Sequence, residues 1–527
     1  MVATSHSLAS AAGLRVLAEG GNAVDAAVAA AATLTVVNPF NAGIGGVGGY
    51  ALVYDAKTGK TTALDFIGTS PAAASADKFA GDRLWDFSKR ATDGYLASVV
   101  PGMVAGWWAL HEKHGRLPWK KLFDTAIEYA EKGFPVTPAV IRSMTTGEMS
   151  KVRRYTYGRQ IFTRNDEAWQ PGEMWVQTDL GKTLRAVAAG GAAEFYSGAT
   201  AKKIVGHLQQ NGGLMTLEDL ASYKVRWSEP IATTYRGHVV RTHGPGSSGM
   251  TILQALNILE GFDLERLGRT SADYIHLVAE AQKLAFLDDD RFNAGERTGD
   301  VPVARLVSKE YATEQRARID RAKAHFPPPH RPVSTSSMGK ETHHHTVVDR
   351  DHNVVTITQT LMYPSGVVVP ETGIFLNNGM CYFSDNPADP NYIAGGVRPR
   401  FVMSPTIVFR DDRPLLAVGA AGGWTIPQTI LQTILNVIDF RQEISRAAGY
   451  PRFILRYLEN SIPYVPGTDL SLEGSYPADV KSTLDARGHR LIPGRDTDGG
   501  SPGNVLNAIV IDIKSGALWG SGSVATW

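Results

Sequence analysis

A threonine that could serve as a nucleophile follows a proline-rich segment of this sequence. Residues 325–340 carry four prolines and four serines or threonines, which predicts an exposed linker over residues 325–341. Thr342 comes directly after this segment and opens a run that is typical of a strand. Cleavage between Glu341 and Thr342 would free an α-amine, which titrates near pH ~8 and can take the proton of the threonine's own hydroxyl. The junction therefore indicates amide chemistry on an N-terminal threonine, although threonines after linkers are common.

Two glycine-rich patterns suggest other chemistry but have the wrong surroundings. Gly43-Ile-Gly-Gly-Val-Gly48 fits the dinucleotide-binding fingerprint, yet a predicted helix precedes it and a strand follows, the reverse of what a phosphate site needs. Gly499-Gly-Ser-Pro-Gly503 fits the nucleophile elbow of serine hydrolases, yet a strand follows where a helix is required. Both patterns therefore predict glycine turns.

Two runs of polar residues could supply metal ligands. Consecutive residues of a strand point to alternate faces, so the histidines His343–His345 cannot converge on one ion. The aspartates Asp288–Asp290 end a predicted helix beside Arg291, which favours a solvated or salt-bridged cluster. The single cysteine, Cys381, excludes an internal disulfide and any site built from several cysteines. We therefore expect no metal and no organic cofactor.

The overall composition is that of a neutral globular protein. Lysine plus arginine number 53 against 52 aspartates plus glutamates, a net charge of +1, so neither nucleic acid nor an anionic membrane is an expected partner. Residues 1–10 lack the basic head and apolar run of a secretory signal, and the apolar stretch Ala26–Val37 is too short to span a bilayer. We expect a soluble, cytoplasmic protein, although a chain whose leader had been removed would look the same.

The elements that would position Thr342 follow from hydrophobic patterns and turn residues. Asn22 is expected to cap an alanine-rich helix, and residues 50–55 and 61–66 are expected to form a hairpin. Residues 102–323 look mainly helical, whereas strands dominate beyond the linker. Because helices and hairpin-linked strands segregate along the chain, the sequence predicts a mixed α+β layered fold with an antiparallel sheet.

Motifs along nearly the whole chain resemble those of the γ-glutamyltransferase (γ-glutamyltranspeptidase) family, in the family's order. They are Gly20-Gly-Asn-Ala-Val-Asp-Ala-Ala27, Gly43-Ile-Gly-Gly46, Val53-Tyr-Asp-Ala-Lys-Thr-Gly59, Val100-Pro-Gly-Met-Val-Ala-Gly106, Ser247-Ser-Gly249, Glu341-Thr342, Val347-Val-Asp349, Leu376-Asn-Asn378, Met403-Ser-Pro-Thr406 and Gly422-Gly423. The resemblance implies the four-layer αββα sandwich of an N-terminal-nucleophile hydrolase and self-cleavage of a precursor. The large chain, residues 1–341, and the small chain, residues 342–527, would interleave as a heterodimer in one domain, with any further pairing left open.

The resemblance also implies roles for single residues. Thr342 aligns with the family's nucleophile, and Thr360 aligns with the threonine whose hydroxyl orients it. Gly422 and Gly423 align with the pair whose backbone N–H groups form the oxyanion hole. Glycine suits that place because a Cβ would obstruct the approach of the backbone to the oxyanion. Cys381 takes no part in this chemistry.

Positions at which the family binds the α-carboxylate and α-amine of its substrate differ in this chain. The substituted residues are Ile67 for arginine, Met362 for asparagine, Gly379 for glutamine or glutamate, Tyr382 for aspartate and Phe401-Val402 for two serines. A carboxylate buried without its arginine would cost roughly 3 kcal/mol or more. Together with Trp424, these residues predict a pocket for an apolar or aromatic acyl group. A shifted Arg398 or Arg400 could compensate for one loss, and loop misalignment would exaggerate the losses.

The sequence therefore predicts an autoprocessed amidohydrolase or acylase of this family, acting on a small-molecule amide with a non-standard acyl group. Branches of the family that act on non-glutamyl amides, such as the cephalosporin acylase-like and oxamate amidohydrolase-like ones, support such a shift. Two alternatives stay open. One is an authentic γ-glutamyltransferase or glutathione hydrolase with a repositioned clamp, and the other is an uncleaved binding protein without catalysis.

Overall fold

Two antiparallel sheets pack face to face between layers of helices in the computed structural model. The structure describes residues 1–80, 83–84, 87–145, 147–164, 167–296, 298–325, 342–362, 364–456, 469–472, 476–493 and 505–522. Within these ranges each large sheet has six strands. The four layers confirm the αββα sandwich, while Glu341, the rest of the linker after residue 325 and the Gly499–Gly503 motif lie outside the described residues.

The strands are, in chain order, β1 (Val2–Ala3), β2 (Gly48–Asp55), β3 (Lys60–Asp65), β4 (Arg83–Leu84), β5 (Phe87–Ser88), β6 (Phe134–Pro135), β7 (Met174–Trp175), β8 (Arg226–Ser228), β9 (Ile231–Tyr235), β10 (His238–Thr242), β11 (Thr342–Val348), β12 (Val354–Thr360), β13 (Pro364–Val369), β14 (Ile374–Asn377), β15 (Thr406–Arg410), β16 (Arg413–Ala421), β17 (Phe453–Arg456), β18 (Asp469–Leu472), β19 (Arg490–Pro493), β20 (Val505–Ile511) and β21 (Leu518–Gly522).

The helices are α1 (Ser7–Ala18), α2 (Ala23–Val37), α3 (Pro39–Ala42), α4 (Lys89–Thr92), α5 (Met103–His114), α6 (Asp124–Lys132), α7 (Pro138–Thr145), α8 (Thr156–Phe162), α9 (Thr178–Tyr196), α10 (Ala199–Gln210), α11 (Leu217–Ser222), α12 (Gly249–Leu259), α13 (Leu264–Leu267), α14 (Ala272–Phe292), α15 (Val303–Leu306), α16 (Lys309–Arg316), α17 (Thr425–Ile438), α18 (Ile444–Ala448) and α19 (Ala478–Ala486). Among the described helices, none combines the length and the apolar character needed to cross a bilayer.

Strands from distant parts of the chain alternate within each sheet. The first sheet has the order β1-β11-β12-β2-β3-β8, and the second has the order β21-β20-β16-β15-β10-β9. Helices α2 and α5 cover the first sheet, whereas α12 and α17 cover the second. The hairpin expected at residues 50–55 and 61–66 is confirmed as β2 and β3, and the strand after the linker begins at Thr342 itself.

Helix α2 begins where the sequence predicts. The Asn22 side chain accepts hydrogen bonds from the N–H groups of Val24 and Asp25, and the Asp25 carboxylate accepts one from the Asn22 N–H at 3.0 Å. This reciprocal capping box satisfies donors that the first turn leaves free. The alanines that follow let α2 lie close against β11 and β12, so the helix supports the strand that begins with Thr342.

The space between the two sheets is apolar at one end. Residues from both sheets form this part of the core: Ala3, Leu52, Tyr54, Ala63, Val348, Val354, Ile407, Phe409, Ala417, Ile509 and Ile511. Towards the other end, where β11 begins, the facing side chains are hydroxyls and an imidazole. The polar end of this inter-sheet space is therefore where side chains capable of catalysis lie close together.

Candidate active site

Thr342 is the first residue of β11, a strand inside the first sheet. It pairs with Thr360, the last residue of β12, and its hydroxyl donates to the Thr360 hydroxyl oxygen over 3.4 Å. Only 6% of Thr342 is exposed and 1% of Thr360. The two threonines expected to act together are thus in contact at the end of their strands.

A strained turn holds the Thr360 hydroxyl. The Met362 N–H donates to the Thr360 Oγ1 at 2.8 Å. Met362 has a φ of 60°, the left-handed conformation that an unbranched non-glycine residue seldom adopts. The turn therefore fixes the position of the Thr360 Oγ1, which accepts the hydrogen bond from the Thr342 hydroxyl.

Gly422 and Gly423 form the turn between β16 and α17. Their φ values are 134° and 63°, which glycine adopts without strain. Their carbonyls are occupied, since the Gly422 oxygen accepts from the Thr425 hydroxyl at 2.8 Å and the Gly423 oxygen accepts from the Ile426 N–H at 3.0 Å. Among the described residues, neither glycine N–H donates to another group, although both glycines are buried. Two free donors at the N-terminus of a helix can stabilise an oxyanion.

Strands β11 and β16 meet so that Thr342 and this turn lie at the same end of the sandwich. A Cβ added to Gly419 would lie 2.1 Å from the His344 Cε1, so the ring rests directly on the glycine backbone. Further along the two strands, Val348 and Ala417 share the apolar cluster between the sheets. The strands therefore run in opposite directions, and the start of β11 faces the end of β16.

Hydrogen bonds fix the His344 side chain and backbone against the second sheet. Its Nδ1 lies 2.8 Å from the Thr358 Oγ1, and its Nε2 lies 3.0 Å from the Thr346 Oγ1. The Asn507 side chain of β20 donates to the His344 carbonyl at 2.7 Å. Burial lowers the pKa of His344 well below its ordinary value, so the ring is neutral. The hydrogen bond from Asn507 joins β11, the strand of Thr342, to the second sheet, whose strand β16 leads into the glycine turn.

The neighbouring histidines point to the opposite face of β11. His343 and His345 stack with ring centroids 5.3 Å apart on the side of the helices. Because the side chains alternate, the three histidine rings do not converge on one point. The Nδ1 of His343 lies 2.6 Å from the Ser5 Oγ, and its Nε2 has no partner among the described residues.

The residues expected to form an acyl pocket gather in the apolar cluster beneath the second sheet. Ile67, Met362, Phe401 and Val402 are 0–3% exposed in this cluster, and Tyr382 and Trp424 pack against it with part of their surface free. The Tyr382 and Phe401 rings stack at 4.1 Å with an angle of 10°. Tyr382 and Trp424 are therefore the members of the set with exposed ring surface, and Phe401 stacks against Tyr382.

Gly379 differs from the other substituted positions because the side chains of Val99 and Val47 lie close to its backbone. A Cβ at this position would lie 2.7 Å from the Val99 Cγ2 and 3.1 Å from the Val47 Cγ2. No side chain of glutamine size fits there in this conformation. The packing around Gly379 therefore leaves no room for the polar residue that the family has at this position.

The two arginines that could replace the missing clamp are engaged elsewhere. Arg398 donates to the Ile67 carbonyl at 3.0 Å and lies 3.6 Å from the Asp65 carboxylate. Arg400 donates to the Asp289 carbonyl at 3.0 Å and lies 3.4 Å from the Asp290 carboxylate. Each guanidinium thus has a carboxylate partner inside the protein.

The aspartate run is a buried, charged cluster rather than a solvated one. Asp289 is fully buried, and burial raises its pKa to about 6, against the opposing effect of Arg400. Among the described residues, the run forms an ion pair with Arg400, whereas the sequence suggested the neighbouring Arg291. Arg400 also lies 5.8 Å from the centre of the Trp424 ring, so this cluster supports the residue after the glycine turn.

Within the described ranges, His276, Glu280 and His489 form a group whose ligand atoms lie within 4.8 Å of one another. These atoms already have partners. The His276 Nδ1 lies 2.8 Å from the His489 Nε2, and the Lys283 ammonium donates to the Glu280 carboxylate at 2.6 Å. The arrangement is a charge-paired cluster in the core, and a cation would have to displace Lys283.

Sequence reasoning missed Ser5, Gly419 and Asn507, each of which contacts the strand of Thr342. One signal was available. Hydroxyl residues alternate in the runs that became β11 and β12, at Thr342, Thr346, Thr356, Thr358 and Thr360. With a period of two they must share one face, so a polar inter-sheet surface was predictable, although its partners were not.

Comparison with known proteins identifies the family of the chain. The family model described as gamma-glutamyltranspeptidase matches residues 9–523. The chain is 37% identical over 511 residues to the glutathione hydrolase proenzyme of Escherichia coli (strain K12), covering 93% of this chain and 85% of that protein. It is 35% identical over 533 residues to the acylase ACY 1 proenzyme of Pseudomonas sp. (strain SE83), covering 99% and 91%.

A solved structure shows the same fold over the whole length. The crystal structure of cephalosporin acylase from Bacillus halodurans superposes with a TM-score of 0.88 at 32% identity, covering 99% of this chain and 93% of that one. The family match and these relatives, which are named as hydrolases and acylases, agree with one another. The chain is therefore an enzyme of the gamma-glutamyltranspeptidase family, an amidohydrolase or acyltransferase by class.

Proposed function

We propose that this enzyme is an autoprocessed N-terminal-threonine acylase, cut before Thr342 into residues 1–341 and 342–527, which remain together as a heterodimer. The observation that carries the proposal is the hydroxyl pair of Thr342 and Thr360, at the end of the sandwich where the N–H groups of Gly422 and Gly423 are free. The two sequence relatives are named as proenzymes, which supports a precursor that is cut.

In the cut protein the Thr342 Oγ attacks the carbonyl carbon of the amide, and the threonine's own α-amine takes the hydroxyl proton. Thr360 orients the attacking oxygen, while the N–H groups of Gly422 and Gly423 stabilise the negative charge on the carbonyl oxygen. The C–N bond then breaks, and the leaving amine takes the proton from the α-ammonium. Water attacks the resulting ester with the α-amine again as base, which releases the carboxylic acid and restores the hydroxyl.

The acyl group in our proposal is apolar or aromatic and not an ordinary γ-glutamyl group. An α-carboxylate entering this site would need a cation, and the guanidinium groups of Arg398 and Arg400 are bound to Asp65 and Asp290. Tyr382 and Trp424 offer ring surface instead. The relative named as an acylase supports acyl groups outside the glutamyl class in this family.

A panel of amides with γ-glutamyl, aliphatic, aromatic and dicarboxyl acyl groups tests this specificity on the cut enzyme. We expect the highest kcat/KM for an aliphatic or aromatic acyl group. Trp424→Ala should raise KM for that substrate about tenfold or more. The matched control is Trp519→Ala, because Trp519 is 61% exposed on the edge strand β21. Equal effects of the two variants would contradict a role for Trp424 in binding.

The competing function is hydrolysis or transfer of a γ-glutamyl group, which the 37% identity to a glutathione hydrolase proenzyme favours. Turnover of a γ-glutamyl anilide distinguishes the two. Robust activity with a micromolar KM would overturn the proposed acyl specificity while leaving the role of Thr342 intact.

A non-catalytic protein would keep its chain whole. Intact-mass measurement after purification and incubation separates this case from ours, because we expect a small chain that begins Thr342-His-His-His-Thr346. A single full-length mass would contradict the proposed cleavage.

A further inference from the structure

Strand β11 is held unequally along its two edges. On one edge β12 pairs with every residue from Thr342 to Val348. On the other edge β1 pairs only with Val347 and Thr346, through Val2 and Ala3. The four residues from Thr342 to His345, at the end that carries the proposed nucleophile, therefore have a paired strand on one side only within the described chain.

The segment that follows β1 supplies a contact with the part of β11 that β1 does not pair. After Ala3 the chain turns into helix α1, whose N-cap is His6. The Ser5 hydroxyl in this turn lies 2.6 Å from the Nδ1 of His343. Ser5 is 3% exposed and His343 is not exposed at all, so water does not compete for this hydrogen bond.

His343 has one hydrogen-bonding partner for its ring among the described residues. A neutral imidazole carries one donor and one acceptor nitrogen, and the Nε2 of His343 is unpaired. Burial, followed by the nearby rings of His345, His344 and His6, lowers the pKa of His343 well below its ordinary value, so the ring stays neutral. Without the Ser5 hydroxyl both ring nitrogens would be buried and unpaired. Because buried unpaired polar groups are unfavourable, the ring would then tend to shift towards another hydrogen-bonding partner.

Movement of this ring reaches Thr342 directly, because His343 is the next residue. In the uncut chain Thr342 has a neighbour on each side, but after cleavage only His343 holds it covalently. We propose that Ser5 is a positioning residue for Thr342: its hydroxyl anchors the His343 ring and thereby fixes the free end of β11. The inference rests on the proposed function, in which Thr342 is the nucleophile.

The anchor would connect the two chains of the processed enzyme. Ser5 belongs to residues 1–341 and His343 to residues 342–527, so their hydrogen bond becomes intermolecular when the chain is cut.

The test compares Ser5→Ala with Ser5→Thr, which keeps the hydroxyl, and with Thr4→Val as matched control. Thr4 lies in the same turn and is 5% exposed, but its hydroxyl bonds to the His6 carbonyl and to Ser10 rather than to β11. The readouts are kcat and KM for the best amide of the panel, the rate of precursor cleavage by intact mass, and the melting temperature.

We expect Ser5→Ala to lower kcat and the cleavage rate about tenfold with KM nearly unchanged, because a lost buried hydrogen bond is of that size. Ser5→Thr should restore kcat, and Thr4→Val should leave kcat unchanged even if it lowers the melting temperature. In a His343→Leu background, Ser5→Ala should have no further effect on kcat, because the hydrogen bond is already absent.

Two results would overturn the inference while leaving the proposed function intact. One is a Ser5→Ala enzyme with unchanged kcat, and the other is an equal loss of kcat from Ser5→Ala with and without His343→Leu. A wild-type protein that yields no chain beginning at Thr342, or no acyl adduct on it, would overturn both the inference and the proposed function.

Discussion

The two faces of the β11–β12 strand pair both carry polar residues, but the hydrogen bonding on the two faces differs. The face towards the second sheet is lined by hydrogen-bonded hydroxyls and one imidazole, at Thr342, His344, Thr346, Thr356, Thr358 and Thr360. The face towards the helices carries His343, His345 and Gln359. There the His343 Nε2 and the Gln359 Nε2 have no partner among the described residues.

This difference separates two uses of buried polar groups. A polar group whose partners are fixed is already oriented when a reaction begins, whereas an unpaired one lowers the free energy of unfolding. We therefore expect changes on the inter-sheet face to affect turnover first and changes on the helix face to affect stability first. The Ser5 contact is the exception that we propose, since it makes the helix face support the nucleophile.

The largest effect should come from Thr342→Ala on the inter-sheet face. It removes the hydroxyl that we assign to both cleavage and catalysis, so the purified protein should remain one chain with no turnover. Thr342→Ser keeps a hydroxyl and should retain cleavage and activity at a reduced rate. Intact mass and the amide assay measure both, and a cut Thr342→Ala protein would show that the nucleophile is misassigned.

Thr360→Val should come next, because it keeps the shape of the side chain but removes the oxygen on which the Thr342 hydroxyl lies. We expect kcat to fall on the order of 100-fold, the effect of a misplaced reacting group. Thr33→Val is the control, since Thr33 is also buried but its hydroxyl bonds, among the described residues, only to the Ala29 carbonyl of its own helix. Similar kinetic losses in both variants would argue against a specific role of Thr360.

The fold was more predictable than the contacts of the site. Helix α2 with its cap at Asn22, the hairpin of β2 and β3, and the strands after the linker follow from local patterns that the structure confirms. Strands β9 and β10 lie in a region expected to be mainly helical. They are five residues each, and β10 pairs with β15 from the other side of the linker, so their stability depends on partners that no local pattern reveals.

The candidate site shows the same limit. The roles of Thr360, Gly422 and Gly423 were predictable only through the family resemblance, whereas the linker before Thr342 gave a weak local signal for that residue. All four roles stay predictions. The contact of Ser5 with His343 joins residues 338 positions apart, so sequence spacing could not indicate it. Gly419 gave no signal either. A glycine is needed there because the His344 ring of β11 lies against it, and not because of the conformation of its own backbone.

A smaller effect is expected from Gly419→Ala, which tests the contact that joins the two sheets. The added Cβ would lie 2.1 Å from the His344 ring, so the ring or the strand must move. We expect the free energy of unfolding to fall by about 1–3 kcal/mol, the usual cost of overpacking, together with a lower kcat. Gly206→Ala is the matched control, because nothing lies within 4 Å of its added Cβ. Unchanged kcat in Gly419→Ala would show that this contact does not help to position Thr342 relative to the glycine turn.

The smallest effect on turnover should come from His345→Leu on the helix face. Burial lowers the pKa of His345 to about 4, against a smaller opposing effect of the Ala27 backbone. Between the ordinary pKa of about 6.5 and this value, the unfolded chain binds a proton that the folded chain does not, so stability falls as pH falls.

His345→Leu should therefore reduce the slope of the free energy of unfolding against pH by about 1.4 kcal/mol per pH unit at most. Above pH ~7 the substitution should change this slope little. Urea unfolding of the uncut Thr342→Ala precursor at several pH values measures the slope. A slope that the substitution leaves unchanged would show that His345 does not titrate differently in the two states.

The alternation of strands in the first sheet has a consequence for the lifetime of the protein. The order β1-β11-β12-β2 sets strands from after Thr342 between strands from before it. Cleavage as we propose would leave two polypeptides that cannot part without breaking the centre of the sheet. The precursor could then refold from denaturant as one chain, whereas the cut product would denature irreversibly. Its persistence would be governed by the height of the unfolding barrier rather than by an equilibrium.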